Sequence, residues 1–346
     1  MSSITSLTTA DHCDYENFVS RTANARYAHG LGWAKALQKT YGLQIQHLIA
    51  REGSLIVGVL PLFFSRSWVL GKHYSTSPFP SYAGPLYESQ AVLNALLKAA
   101  YEKTHGVNYT FLYTGEALPS TDQELSLRCD NLTFCLPLEG DPETIFAKLR
   151  KNIRRDIRYA AHKGIEIVAD GAGNLQEEFY RLYTSIYAAK HGLPPHPRSL
   201  FRNLWDCIPT GGLRVYLARY KGKFVAATMT LRANGEIYYA WAAADPSANT
   251  LQPTTALIWN AIQDGCVEGF QVFNMGEAPK GHSSLVQFKT RWCPKIRETH
   301  SYYLLGRGAE PPADYFQGFG WQKKIIARLP LSLTTRFISP LLRFVL

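Results

Sequence analysis

HLIAREGSLIVGVLPLFF, residues 47–64, reads as an apolar strand, a charged turn around Gly53, and a second apolar strand. VYLARYKGKFVAATMTLRA, residues 215–233, repeats that plan around Gly222. Two runs of strand type joined by a short glycine-bearing turn are the signature of a β-hairpin. Further along, AVLNALLKAAYEKTHGVNYTFLYTGE (91–116) and TALIWNAIQDGCVEGFQVFNMGE (255–277) each give a helix-period apolar pattern, a glycine stop, an apolar strand and a closing Gly-Glu. The two sets share their order and an offset of about 160–170 residues, which points to duplication of one α/β unit.

Each unit reads as opening helices, an antiparallel hairpin, a further strand, a helix and a last strand, an arrangement that packs helices on a mixed sheet. In the second copy the spacing predicts helices over 142–163 and 174–191, strands over 213–220, 224–232 and 236–244, a helix over 254–267 and a strand over 270–275. The first copy opens with a helix around 32–39 and carries the irregular STSPFPSYAGP between its hairpin and its helix. Leu138-Glu139-Gly140-Asp141-Pro142 supplies turn chemistry and a helix N-cap, so the boundary is placed at 140/141. The domains are then 1–140, 141–310 and a basic amphipathic tail, 311–346.

With 346 residues, 46% hydrophobic and 18% charged, the chain has the make-up of a globular protein large enough for two domains. Six scattered cysteines form no Cys-x-x-Cys pair and no Cys/His cluster at metal-ligand spacing, so reduced thiols and no metal site are expected. The N-terminus lacks the basic and apolar regions of a secretory signal, and the longest apolar run, 55–64, falls short of the about 20 residues that span a bilayer. A cytoplasmic protein is the expectation. The net charge of +10 attracts phosphates or anionic lipid. It concentrates at KLRKNIRR (148–155) and in WQKKIIARLPLSLTTRFISPLLRFVL (321–346), where Lys323, Lys324, Arg328, Arg336 and Arg343 stand among apolar residues without an acid. Such a tail suits an interfacial anchor on the inner face of a membrane; packing of its apolar faces on the protein is the alternative. No Ser-His-Asp order, H-E-x-x-H, P-loop or G-x-G-x-x-G fingerprint is present.

Several segments, in order, resemble the Fem family of peptidoglycan-bridge aminoacyltransferases and its FemAB-like relatives in exosortase and exopolysaccharide systems. They are Trp33-Ala34, Gly58-Val59-Leu60-Pro61-Leu62, Ser77-Pro78-Phe79 with Tyr82 and Gly84, the basic helix ending in Lys163-Gly164, and NMGEAPKGHSSLVQFKTRW (274–292). Cys293 stands where the family commonly has glycine, and no long coiled-coil arm interrupts the second half. The resemblance implies an α/β (α+β) fold of two tandem GNAT-like domains, each a mixed, mostly antiparallel sheet flanked by helices, the second being a BioF2-like acetyltransferase domain. It also implies an acyltransferase in which an amine attacks an activated carbonyl. The donor is aminoacyl-tRNA in Fem enzymes or an acyl-CoA in ordinary GNAT enzymes, with no tightly bound cofactor. The acceptor is an amine on a peptidoglycan precursor or another envelope molecule. An exopolysaccharide acyl-CoA N-acyltransferase and a non-catalytic membrane-surface scaffold stand as alternatives.

The resemblance makes Lys289 of the Phe288-Lys289 pair the residue that polarises the donor carbonyl, and it sets Tyr239 beside the acceptor. A surface lysine on a strand, and core packing for Tyr239 and Trp241, are the competing readings. His191 and His196 are candidates for proton removal because imidazole titrates near neutrality. Arg198, after the proline-rich loop 191–197, can clamp a phosphate or cap a helix. Arg150, Arg154 and Arg155 have the spacing of one helix face, fit to hold tRNA or a lipid-linked diphosphate. The loop 245–253 has no glycine, against a standard acetyl-CoA cradle, although Thr254 at the next helix start can bind a phosphate. Ser77, Phe79 and Tyr82 in the first copy and Ser283 in the second complete the expected substrate-binding set.

Overall fold

A computed structural model describes residues 2–68, 70–79, 82–191, 194–292, 294–312, 333–339 and 342. The chain forms two compact units, one from Met1–Leu132 with the return segment that begins at Arg297, the other from Thr133–Ile296.

The first unit opens with β1 (Ser3–Ser6), α1 (His12–Arg21) and α2 (Leu31–Tyr41), followed by β2 (Gln44–Ile45), β3 (Leu48–Glu52) and β4 (Leu55–Leu60). The β3–β4 hairpin is the one read from the sequence, but its second strand does not run on to Phe64. Pro61 has no amide proton to give a ladder, so β4 stops at Leu60 and the chain resumes as β5 (Phe63–Ser67) with new partners. β6 (Gly71–Ser75) returns antiparallel to β5, and β7 (Leu86–Tyr87) adds to β4. α3 (Gln90–Thr104), capped by Ser89 Oγ accepting from Val92 N, then leads to β8 (Tyr109–Thr114), which lies parallel to β6. β9 (Ser126–Pro137) carries the chain into the second unit.

There, the basic stretch expected as one helix is two. Asp141 caps α4 (Pro142–Lys148), Leu149 and Arg150 are extended, and α5 (Lys151–His162) starts afresh. β10 (Glu166–Asp170), α6 (Gln176–His191) and α7 (Arg198–Cys207) follow. The three expected strands appear as β11 (Leu213–Tyr220), β12 (Lys223–Ala233) and β13 (Glu236–Ala244). A 3-10 turn (Pro246–Leu251) precedes α8 (Pro253–Val267), and β14 (Val272–Pro279) runs four residues beyond the expected strand end. α9 (Ser283–Thr290) replaces the serine-bearing loop, and β15 (Lys295–Leu305) pairs antiparallel with β8, returning the chain to the first unit.

The duplication is visible in the ladders. In the second unit β10, β11, β12 and β13 are successively antiparallel, and β13 is parallel to β14 across the crossover helix α8. In the first, β1, β3 and β4 are antiparallel, β5 continues the broken strand to β6, and β6 is parallel to β8 across α3. Two tandem GNAT-like α/β units are the result. In the first, α3 lays Val92, Leu93, Leu96 and Leu97 on Leu48, Val57, Leu60 and Leu112. The boundary at 132/133 differs from 140/141 because β9 spans it, and β15 belongs largely to the first unit although a boundary at 310 assigns it to the second. Most of the tail lies outside the described residues, but Thr334 and Ser339 are buried within a short helical turn. No helix among the described residues is long and apolar enough to cross a membrane.

Candidate active site

The closing Gly-Glu of the second repeat becomes chemistry through the way β14 ends. β13 and β14 pair only over Glu236–Tyr238 and Val272–Asn274, although both strands continue. Just past the last pair, Gly276 adopts a left-handed φ of 73°, and its amide donates to Asn274 Oδ1 at 2.8 Å. A Cβ there would come within 3.0 Å of the Tyr238 hydroxyl and 3.6 Å of Lys289 Nζ, so glycine leaves room for both. Asn274 is itself buried, donating through Nδ2 to Glu236 Oε2 at 3.2 Å and accepting from Thr133 Oγ1 at 3.4 Å. The turn is therefore held by a polar network inside the unit rather than by solvent.

That turn delivers Glu277. Tyr238 Oη donates to its Oε2 at 2.7 Å, whereas Oε1 is sealed from solvent with no hydrogen-bond partner. Burial pushes the Glu277 carboxyl up to about 7; the Tyr238 bond and the Lys289 charge oppose that rise, and Glu236 adds to it. Lys289, 8% exposed, donates from Nζ to the Glu277 carbonyl oxygen at 2.7 Å and lies 5.9 Å over the Phe134 ring. It sits in the last turn of α9, not on a surface strand. Two residues on, Arg291 Nη2 donates to the buried Asp156 Oδ2 of α5 at 3.2 Å, which anchors the end of α9 and so positions Lys289.

An ammonium, a carboxyl poised near neutrality and a phenol thus meet at one strand end. Such a group can stabilise a developing oxyanion and accept a proton from an amine. The first repeat has the same Gly-Glu, but Glu116 is exposed and ion-paired with Arg297 at 3.1 Å. The two copies have diverged, and the buried carboxyl belongs to the second.

The other expected residues fall in several places. Tyr239 is not part of this group. A bulge in the β12–β13 ladder between Met229 and Thr230 interrupts the alternation, and Tyr239 packs near Phe273 at 6.2 Å with its phenol pushed up by burial. Trp241 stacks edge-on against Phe201 at 5.3 Å and His196 at 5.9 Å, while burial pulls His196 down to about 4, far from a working base at neutral pH. The His191 side chain lies outside the described residues. Arg198 begins α7 with its guanidinium on Glu177 and over the Tyr180 ring. Arg150 precedes α5 as its exposed N-cap residue, Arg154 is half-buried with an unpartnered Nε, and Arg155 is engaged by Asp156 at 2.9 Å. Thr254 is half-buried in the first turn of α8, and Ser283 is exposed at the start of α9. In the first unit, Ser77 Oγ donates to Phe79 O at 2.7 Å, Phe79 packs 5.3 Å from Tyr41 and 6.4 Å from Trp33, and Tyr82 lies under the Arg26 guanidinium at 5.8 Å. Glu277 and Tyr238 were not expected as site residues, although the recurrence of Gly-Glu marked the position.

Residues 147–289 match the acetyltransferase (GNAT) domain family, a span that ends on Lys289. The chain is 21% identical over 303 residues to the UDP-N-acetylmuramoylpentapeptide-lysine N(6)-alanyltransferase of Weissella viridescens, covering 80% of this chain and 87% of that protein. Its fold is similar to the crystal structure of FemX, with a TM-score of 0.70, 13% identity and coverage of 88% and 97%. It is also similar to a tandem GNAT protein from the clavulanic acid biosynthesis pathway, with a TM-score of 0.56, 12% identity and coverage of 91% and 100%. The duplicated ladder, the matched domain and these likenesses agree: residues 147–289 match a GNAT acetyltransferase domain, and the chain as a whole is similar to a Fem-type alanyltransferase in sequence and to FemX in fold.

Proposed function

We propose that the second unit transfers an aminoacyl group from aminoacyl-tRNA to an amine of a peptidoglycan precursor. The observation that carries the chemistry is Lys289 beside the Glu277–Tyr238 pair. In this reading the amine nitrogen attacks the ester carbonyl and Lys289 donates to the oxygen as its negative charge grows. Glu277 accepts the proton the nitrogen loses, and the ester oxygen leaves with a proton as the carbonyl re-forms. The likeness to the alanyltransferase, which acts on the lysine of a UDP-N-acetylmuramoylpentapeptide, supports this acceptor.

For the donor, the segment from β13 to α8 argues against coenzyme A. Its Asp245 caps a 3-10 turn, Gln252 sits at φ 58°, and Pro253 removes one of the amides a pyrophosphate would use. The test offers alanyl-tRNA and acetyl-CoA separately, with UDP-N-acetylmuramoylpentapeptide as acceptor and mass spectrometry as readout. Amide formation with the tRNA donor alone supports the proposal. Transfer from acetyl-CoA alone moves the protein to the coenzyme A reading, and binding of neither donor favours the scaffold.

A further inference from the structure

The first unit contains a second cluster of reactive side chains, unused by the chemistry above. Cys129 comes from β9, and Glu298 and His300 from β15, the strand that lies beside it in the sheet. Glu298 and His300 are two residues apart on one strand and therefore face the same way. The thiol sulfur, a carboxylate oxygen and an imidazole nitrogen all lie within 4.8 Å of one another. Cys129 is a free, half-buried thiol. His300 Nδ1 is sealed from solvent and has no hydrogen-bond partner, while its ring is stacked on Tyr302 at 6.2 Å and 15°. A buried imidazole nitrogen without a partner costs free energy unless something else satisfies it.

We propose that Cys129, Glu298 and His300 bind a zinc ion that pins β9 to β15. A mixed sulfur, nitrogen and oxygen set suits Zn2+ and not Mg2+ or Ca2+, which take oxygen donors. Tetrahedral zinc holds sulfur and nitrogen ligands about 3.5 Å apart, a spacing these atoms reach by small side-chain rotations. Binding displaces the thiol proton to solvent, and the fourth position falls to water. Metal-ligand spacing in the sequence gave no hint of it, because only the return of β15 to the first unit brings His300 to Cys129.

The test titrates Co2+ into the metal-free, reduced full chain. A single equivalent should give tetrahedral ligand-field absorption and a thiolate-to-cobalt charge-transfer band, both displaced by Zn2+. Cys129→Ser should abolish the charge-transfer band, and His300→Ala and Glu298→Gln should each weaken binding by at least about tenfold. Thermal melts of the metal-free variants show whether each is folded, and if Cys129→Ser is not, the other two decide. No tetrahedral spectrum in the full chain, or one unchanged in the folded variants, overturns the site. The readout needs no transfer assay, so its outcome is independent of the donor and acceptor.

Discussion

Lys289→Met is expected to lower the maximal transfer rate by about 10²–10³, the usual cost of losing one donor to a developing oxyanion. Because Lys289 also satisfies the Glu277 carbonyl, the variant should lose about 1 kcal/mol of stability. Steady-state kinetics and a thermal melt compare the two; a stability loss that accounts for the rate loss would make the lysine structural. Glu277 makes a second, pH-based prediction. Only the ionised carboxylate accepts a proton, so the rate should climb as pH rises through about 7, and Glu277→Gln should be slow and flat. Stability runs the other way. The folded carboxyl titrates above its ordinary value, so its stabilising contribution is complete in acid and fades as pH rises through about 7. Glu277→Gln should therefore melt closer to, or above, the parent protein at pH 8 than at pH 5. Removing the Lys289 charge should shift the rate profile to higher pH, since that charge holds the carboxyl down.

The helices and strands were readable where one face carries the whole pattern. LIARE and LIVGVL are apolar runs on either side of a glycine turn, and α3 and α8 carry dense apolar stripes that bury against the sheets. β15, KIRETHSYYLL, and β9, SLRCDNLTFCLP, are polar and half-exposed, so no apolar run announced them. Lys289 was found because its neighbours spell a likeness. Glu277 was not, because the burial that raises its titration, the Glu236 charge that adds to it and the Tyr238 bond that opposes it are assembled only by the β13–β14 pairing. One element-scale contact is tightly specified. A Cβ on Gly58 of β4 would meet Val92 Cγ1 at 2.4 Å and Leu96 Cδ1 at 3.1 Å, so Gly58→Ala should cost about 1–3 kcal/mol by pushing α3 off its strand. Pairing it with Val92→Ala should recover part of that loss in chemical denaturation, as a double-mutant cycle would reveal.

For the whole molecule, the +10 charge and the five bases of the tail lead us to propose attraction to anionic lipid, at about 1 kcal/mol per base near the surface. Deleting everything after Pro312 should then release the chain from anionic vesicles in a sedimentation assay; equal binding by the truncated form would discard the idea. The buried Thr334 and Ser339 mean the same deletion should also lower the melting temperature. A different consequence follows from β15, which is made near the end of the chain yet pairs with β8 of the first unit. A ribosome releases the N-terminal residues long before His300 to Leu305 emerge, and until then one side of β8 waits with unpaired amides and carbonyls. During synthesis the nascent first unit would be a customer for a holding chaperone, and two nascent chains on one message could exchange their last strands.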